Sequence, residues 1–368
     1  MAGARLSKSS RAGSGVLSFA MERLEGRQLF TTFIPLVSPT LLVSNGPTIT
    51  APVNDANLVD SWGTAITPTG DVWVANNATD TATVYTQSGL LLPSAAAPLA
   101  VSIPAPAGAT AAGPTGMVYH GGRGFNVTVN GVAGASAFLF ATDSGTIDGW
   151  SQKADPAHAV IAVDHSAAGD VFKGLTEIGS GTGAKIYATD FAHGHVEVFN
   201  SGFQQVKLKA GAFADGQVPS TFAPFGIQVL AGKIYVTYAK QNGAKTSDVP
   251  GPANGIVDVF NTSGKLLKRV ATGGDLNSPW GMAIAPSTWG AYRGDLLVGN
   301  VGDGTINVFD KKNNFLGQVF DPNQTNGTAL TLPGLWSLNV GVKAAKNTLF
   351  FTAGGQSYGV LGGLTARK

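Results

Sequence analysis

Asp60-Ser-Trp-Gly63, Gly113-Pro-Thr-Gly116, Val171-Phe-Lys-Gly174, Ala223-Pro-Phe-Gly226, Ser278-Pro-Trp-Gly281 and Leu332-Pro-Gly-Leu335 open six units of similar length. Counted from the last residue of each opening, the intervals are 53, 58, 52, 55 and 54 residues. Recurrence at a period of this size marks a repeat architecture, because one small unit cannot bury its apolar face alone. Each opening leads into a short apolar strand, a second strand, a Gly-containing turn and a third strand. The second strands read Val72-Trp-Val-Ala75, Phe138-Leu-Phe-Ala-Thr142, Ile186-Tyr-Ala-Thr189, Ile234-Tyr-Val-Thr237, Leu296-Leu-Val-Gly299 and Leu349-Phe-Phe-Thr352. Third strands such as His195-Val-Glu-Val-Phe199 and Ile256-Val-Asp-Val-Phe260 alternate polar and apolar residues. Branched and aromatic residues with that alternation are the strand signature. Gly, Asn, Asp and Ser fill the gaps, where turns need positive φ or local side-chain hydrogen bonds.

Several third strands run on into a turn and an outer strand, as at 200–206, 261–267 and 310–316. Six units of four antiparallel strands describe an all-β, six-bladed β-propeller. A linear solenoid would need polar capping units at its ends, and neither end reads as one. The last unit has only three strands before the chain stops, so its fourth is expected from residues 36–44. Closing the ring that way removes an exposed sheet edge, which otherwise invites aggregation.

Composition agrees: 50 Gly and 19 Pro in 368 residues suit many tight turns. Only 12% of residues are charged, against about 25% in typical soluble domains. Length alone would allow two or three domains, but the closed repeat argues for one propeller over 36–368. Residues 1–35 form a leader expected to lack packed structure. Its first thirty residues carry five basic and two acidic side chains, leaving 19 basic against 20 acidic in the remainder. A basic start followed by Gly15-Val-Leu-Ser-Phe-Ala-Met21 has the layout of an export signal with a short apolar run. The neutral propeller lacks the basic stripe that nucleic-acid binding requires. No apolar stretch is long enough to span a membrane. Cys is absent, which excludes disulfides, Cys-ligated zinc and a thiol nucleophile.

Met21-Glu-Arg-Leu-Glu-Gly-Arg-Gln-Leu-Phe30 resembles the Leu-Glu-Pro-Arg-type segment of exported bacterial surface proteins, with Gly26 where Pro is usual. The stretches 138–150, 235–241, 277–286, 294–307 and 349–354 resemble an uncharacterised family of bacterial secreted six-bladed propellers related to NHL-repeat proteins. That resemblance implies the propeller fold and an extracellular address, and no established activity. The loop after Gly354 reads Gly-Gln-Ser-Tyr where members of that family tend to carry acids.

In a propeller the unit openings and the ends of the second strands share one face around the central channel. Rim candidates are therefore Trp62, Asn76, Asp143, Asp190, His193, Tyr238, Trp280, Asn300 and Asp303. Four of them, Asn76, Asp143, Asp190 and Asn300, offer oxygen ligands to a hard divalent cation such as Ca²⁺. Asp and Asn after a strand also cap the following turn, and that reading competes. No Glu sits at an equivalent rim position; Glu177 lies in a first strand. His193 and His195 could share a strand face and bind zinc, while His120, His158 and His165 are scattered along the chain and leave them as turn histidines. The Trp residues could stack sugars or pack between blades. Gly121-Gly-Arg-Gly-Phe125 lacks the Lys-Ser/Thr ending of a phosphate loop and reads as part of a flexible insertion over 119–136. No Gly-x-Ser-x-Gly nucleophile elbow occurs.

Two functions fit. The first is a monomeric, secreted or surface-attached scaffold that needs no cofactor and binds a protein or carbohydrate on its rim. The second is a metal-assisted, lactonase-like hydrolase with a divalent ion at the channel mouth. The fold hosts both kinds of activity.

Overall fold

The computed structural model describes residues 37–46, 48–320 and 328–366. The leader and its boundary at residue 35 lie outside them. Blade 1 comprises Ser61–Ile66, Val72–Asn76, Thr81–Tyr85 and Ala100–Ser102. Blade 2 comprises Pro114–Tyr119, Phe138–Thr142, Thr146–Trp150 and Val160–Asp164. Blade 3 has Phe172–Ile178, Lys185–Asp190 and His195–Asn200. Blade 4 has Phe222–Leu230, Lys233–Lys240, Gly255–Phe260 and Leu266–Thr272. Blade 5 has Pro279–Ile284, Leu296–Asn300, Ile306–Phe309 and Phe315–Gln318. Blade 6 has Leu335–Val340, Leu349–Gly355 and Tyr358–Ala366, and Val37–Ser44 pairs antiparallel with the last of these. The expected closure by an N-terminal strand is what the structure contains.

The openings explain the ring. In every blade the pairing of first and second strands slips in register at the opening, between Ser61 and Thr64 in blade 1 and between Pro279 and Met282 in blade 5. Such a bulge bends its strand, here toward the neighbouring blade. A Cβ added at Gly63, Gly116, Gly174, Gly226 or Gly281 would meet backbone of the next blade's first strand at under 3.0 Å. At Gly174 the clash is with the Phe225 carbonyl oxygen at 2.9 Å. Only a residue without a side chain lets the backbones approach this closely. Hydroxyls fasten the same seams: Thr115 donates to the Phe172 carbonyl (2.7 Å), Thr189 to that of Phe225 (2.8 Å) and Thr352 to that of Trp62.

The sixth opening is two residues later than its Pro-Gly motif suggests. Leu335 faces Ala353 as Pro279 faces Asn300, so Ser337, not Leu335, occupies the glycine position. The true interval from Gly281 is 56 residues. Pro333-Gly334 is instead the turn before the strand, where Gly334 has φ +71°, matching Asp60 (+50°), Gly113 (+64°) and Ser278 (+48°). At this seam Ser337 Oγ bonds Thr64 Oγ1 at 3.0 Å and Thr352 Oγ1 at 2.7 Å.

Two local expectations change. Blade 3 has no regular outer strand at 200–206, only a bridge between Phe199 and Gln205. The 119–136 insertion is an ordered hairpin, Asn126–Val129 with Val132–Ala135. Phe125, fully buried, seats it on blade 3, with its N–H bonded to the Ser201 carbonyl. His120 at the hairpin's base bonds Glu177 of blade 3 at 2.8 Å. The core lies between blades: Trp73 of blade 1 stacks on Phe138 of blade 2 with centroids 4.1 Å apart.

Gly226→Ala should destabilise the protein by about 1–3 kcal/mol, as overpacking does, whereas Gly243→Ala, with nothing near its added carbon, should stay within about 0.5 kcal/mol. Urea unfolding of both variants checks this. The hydrogen bond to Glu177 raises the pKa of His120. A raised histidine contributes stability that is full below its unfolded value near 6.5 and is lost as pH rises through the folded value. The melting temperature of the wild type should therefore fall more steeply above pH 6.5 than that of His120→Gln.

Candidate functional site

The openings and the second-strand ends do share a face, and its centre is filled. Trp62 and Trp336 stack with centroids 3.4 Å apart and planes at 17°. Trp280 meets both edge-on at 6.4 and 5.9 Å, and Phe225 lies 6.0 Å from Trp336. All four are buried and form one cluster with Phe191. The tryptophans thus pack on each other across the channel mouth. Beneath them the channel keeps a void of about 20 Å³, lined by Thr64, Met117 and Leu175 among others, room for roughly one water molecule. The indole N–H groups of Trp62 and Trp336 face the Asp60 carboxylate without closing hydrogen bonds of normal geometry. Burial raises the pKa of Asp60 above the usual carboxylate range, and the two indoles act in the opposite direction. Beside this plug, buried Lys173 bonds Asp143 at 2.6 Å and sits 5.0 Å from the centre of the Trp62 ring. Asn77 donates to the other Asp143 oxygen at 3.2 Å.

The four oxygen-bearing candidates are committed to separate places. Asn76 is buried and donates to Thr81 (3.1 Å) and Thr83 (3.0 Å) of its own blade. Asn300, also buried, donates to the Asp275 carbonyl and to Thr305 and accepts from the Asn277 N–H. Asp303 caps its turn through the N–H and hydroxyl of Thr305. Asp190 accepts the N–H groups of Val171, Ala192 and His193 on one oxygen. Asp143 lies one residue beyond the position that Asn76, Asp190 and Asn300 share; Thr142 occupies that position in blade 2.

Blade 3 gathers what looked scattered. His165 precedes the blade, yet its Nδ1 reaches Asp170 at 2.8 Å and Glu197 at 3.1 Å. His193 Nδ1 lies 2.7 Å from Asp190 and 3.3 Å from Asp170. His195 Nε2 lies 3.2 Å from Glu197 and 3.7 Å from Asp190. The three imidazoles and three carboxylates therefore alternate around a closed ring. Two readings from sequence are corrected here: His165 joins His193 and His195, and a Glu, Glu197, does reach the rim. Glu197 follows His195 by two residues, so both share one strand face, a signal present in the sequence. The arrival of His165 and Asp170 had none. Burial pushes the Asp170 carboxyl up, opposed by its bond to His165 and reinforced by the charges of Asp190 and Glu197. The bond to Glu197 raises His195.

Next to this ring, between blades 3 and 4, lies a recess of about 300 Å³. His193, Asp215, Tyr238, Gln241 and Lys245 supply its polar groups, and Phe213, Phe222 and Pro224 an apolar surface. Tyr238 is buried and its hydroxyl has no hydrogen-bond partner. Burial, with the charges of Asp258 and Asp215, holds its pKa far above the ordinary tyrosine value. Arg269 clamps that acidic pair, bonding Asp258 at 2.8 Å and Asp215 at 2.6 Å. Of the nine rim candidates the structure brings His193 and Tyr238 to this recess, puts Asp190 behind His193, sinks Trp62 and Trp280 into the plug, and leaves Asn76, Asp143, Asn300 and Asp303 in local bonds.

No protein-family model matches the chain. Its sequence is 30% identical to the uncharacterized protein L690 of Acanthamoeba polyphaga mimivirus over 302 residues, covering 81% of this chain and 77% of the relative. That relative is viral and does not support a specifically bacterial family. Solved structures with a similar fold include a streptogramin B lyase, 12% identical with a TM-score of 0.48 and coverage of 90% of this chain and 97% of that one. Another is a gluconolactonase from Xanthomonas campestris, 15% identical with a TM-score of 0.46 and coverage of 84% and 89%. At such identities the likeness concerns the fold alone.

Removing the cap at Asn300 orphans the buried Asn277 N–H and takes one donor from the Asp275 carbonyl. Asn300→Ala should therefore cost about 1–3 kcal/mol of unfolding free energy, read by denaturant titration.

Proposed function

We propose, from the premise that the chain belongs to the family of the mimivirus protein L690, that it is an exported binding propeller that takes a hydroxyl-rich, carbohydrate-type ligand between blades 3 and 4. One observation carries this reading: Tyr238, whose buried hydroxyl has no hydrogen-bond partner among the described residues, lines the recess together with His193, Asp215, Gln241 and Lys245. A buried polar group left unpaired costs about 1–3 kcal/mol, a penalty that a ligand hydroxyl would relieve. The surrounding chemistry suits a sugar. Asp215, Gln241, Lys245 and His193 offer both donors and acceptors, and Phe213 and Phe222 offer aromatic surface to C–H groups. Export, and descent from a bacterial secreted lineage, are supported by the basic leader and by the segment at 21–30; no helix among the described residues is long and apolar enough to cross a membrane. A protein partner would meet the same face. Against a hydrolase with its metal at the channel mouth stand the four aromatic rings that fill that mouth and the ion pair that engages Asp143.

Glycan-array screening of the purified full chain, followed by calorimetry on the best binder, tests the proposal. Tyr238→Phe should weaken binding about tenfold, or about 1.4 kcal/mol, while leaving the melting temperature unchanged or higher because the orphan hydroxyl is gone. Absence of glycan binding, or equal affinity in the variant, would sink it.

A further inference from the structure

We propose that blade 3 holds a divalent transition-metal site of the zinc type, built from His165, Asp170, Asp190, His193, His195 and Glu197. It differs from any site at the channel mouth, and it stands whether or not a sugar occupies the neighbouring recess.

The first support is spacing. Successive donor atoms around the ring lie 2.7–3.7 Å apart. Ligands about 2.1 Å from a common ion sit about 3.0–3.4 Å from one another; the contacts of 3.1, 3.2 and 3.3 Å fall in that range and those of 2.7, 2.8 and 3.7 Å lie close to it. Three overlapping triads, His165/Asp170/Glu197, Asp170/Asp190/His193 and Asp190/His195/Glu197, each place their donor atoms within 4.8 Å.

The second is uncompensated charge. Asp170, Asp190 and Glu197 are all more than nine-tenths buried. Among the described residues no Lys or Arg forms an ion pair with any of them. Their side-chain partners are the three imidazoles. Buried charges are paired or coordinate metals, and Glu197 Oε2 closes no hydrogen bond among the described residues despite lying 3.1 Å from His165.

The third comes from comparing blades. The end of the second strand, its partner at the start of the third, and the residue two further on make one slot per blade, polar throughout in blades 1, 2, 3 and 5. In blade 1 the slot holds Asn76, Thr81 and Thr83; in blade 2, Thr142, Thr146 and Asp148; in blade 5, Asn300, Thr305 and Asn307. In blades 1 and 5 the Asn amide N–H groups bond the Thr hydroxyls of the same slot. Blade 3 puts Asp190, His195 and Glu197 in the same places, a costlier choice that the architecture does not require. His193 and His195 are about half-exposed, so an ion can enter from solvent. Three imidazoles favour Zn²⁺ over Ca²⁺ or Mg²⁺, which prefer all-oxygen shells.

Chelator-treated, tag-free full chain titrated with Zn²⁺ in a calorimeter should take up one ion per chain, with at least tenfold preference over Ca²⁺ and a raised melting temperature. His193→Ala, at an exposed position, and His165→Gln should each weaken Zn²⁺ binding at least tenfold, while His158→Gln, paired with Asp155 outside the ring, should not. Circular dichroism confirms that each variant is folded, and the exposed His193 variant decides if His165→Gln is not. No stoichiometric uptake at 100 µM Zn²⁺ (about 5 kcal/mol of binding free energy), preference for Ca²⁺, or full affinity in His193→Ala would overturn the proposal.

Discussion

The contact on which the rest of the molecule depends is the approach of each innermost strand to the next at a glycine or, in blade 6, at a serine. Five glycines and Ser337 let six strands crowd around one axis. Within the channel lies a void of about 20 Å³, and aromatic residues that the openings bring pack across its mouth. What remains for function is the outer part of the same face, where loops from adjacent blades meet.

There the propeller offers the same backbone slot several times and fills it differently. Blades 1 and 5 fill it with neutral amides and hydroxyls that bond one another. Blade 4 fills it with Tyr238 and Asp258, the acid held by Arg269 and the phenol left without a partner. Blade 3 fills it with an acid, an imidazole and an acid, and borrows His165 and Asp170 from the connection that enters the blade. Repetition makes the geometry common to all blades, so the acids and imidazole of blade 3, the phenol of blade 4 and the buried Asp148 of blade 2 are choices that the shared backbone slot does not dictate.

The cost of this arrangement is visible in the backbone. Asp60 and Ser278 hold the left-handed conformation that Gly113 and Gly334 adopt at equivalent places, which costs a residue with a side chain about 1–2 kcal/mol each. The turns are needed because they aim the openings at the axis. Asp60 uses its position to face the indoles of Trp62 and Trp336 across the plug.

How much of this was legible follows from distance along the chain. The period of the openings, the alternation of the third strands and the missing outer strand of blade 6 are local or counted features, and they determine an all-β, six-bladed ring closed by residues 37–44. Where two local motifs look alike, counting slips: Pro333-Gly334 imitates an opening and hides Ser337 two residues later, because only strand register distinguishes a turn glycine from a channel glycine. Asp143 was placed on the rim with Asn76, Asp190 and Asn300, yet it is one residue out of their register and bonds Lys173 of the next blade. Asp190, His193 and Tyr238 were legible as rim residues, but their grouping with distant partners was decided by tertiary structure. His165 and Asp170 come from the connection entering blade 3 and Asp190 from its second strand, and Asp215 meets Tyr238 across a loop between blades. Sequence records which donors exist, but a ring of side chains forms only where bulged strands and a crossing connection set their Cβ vectors toward one point.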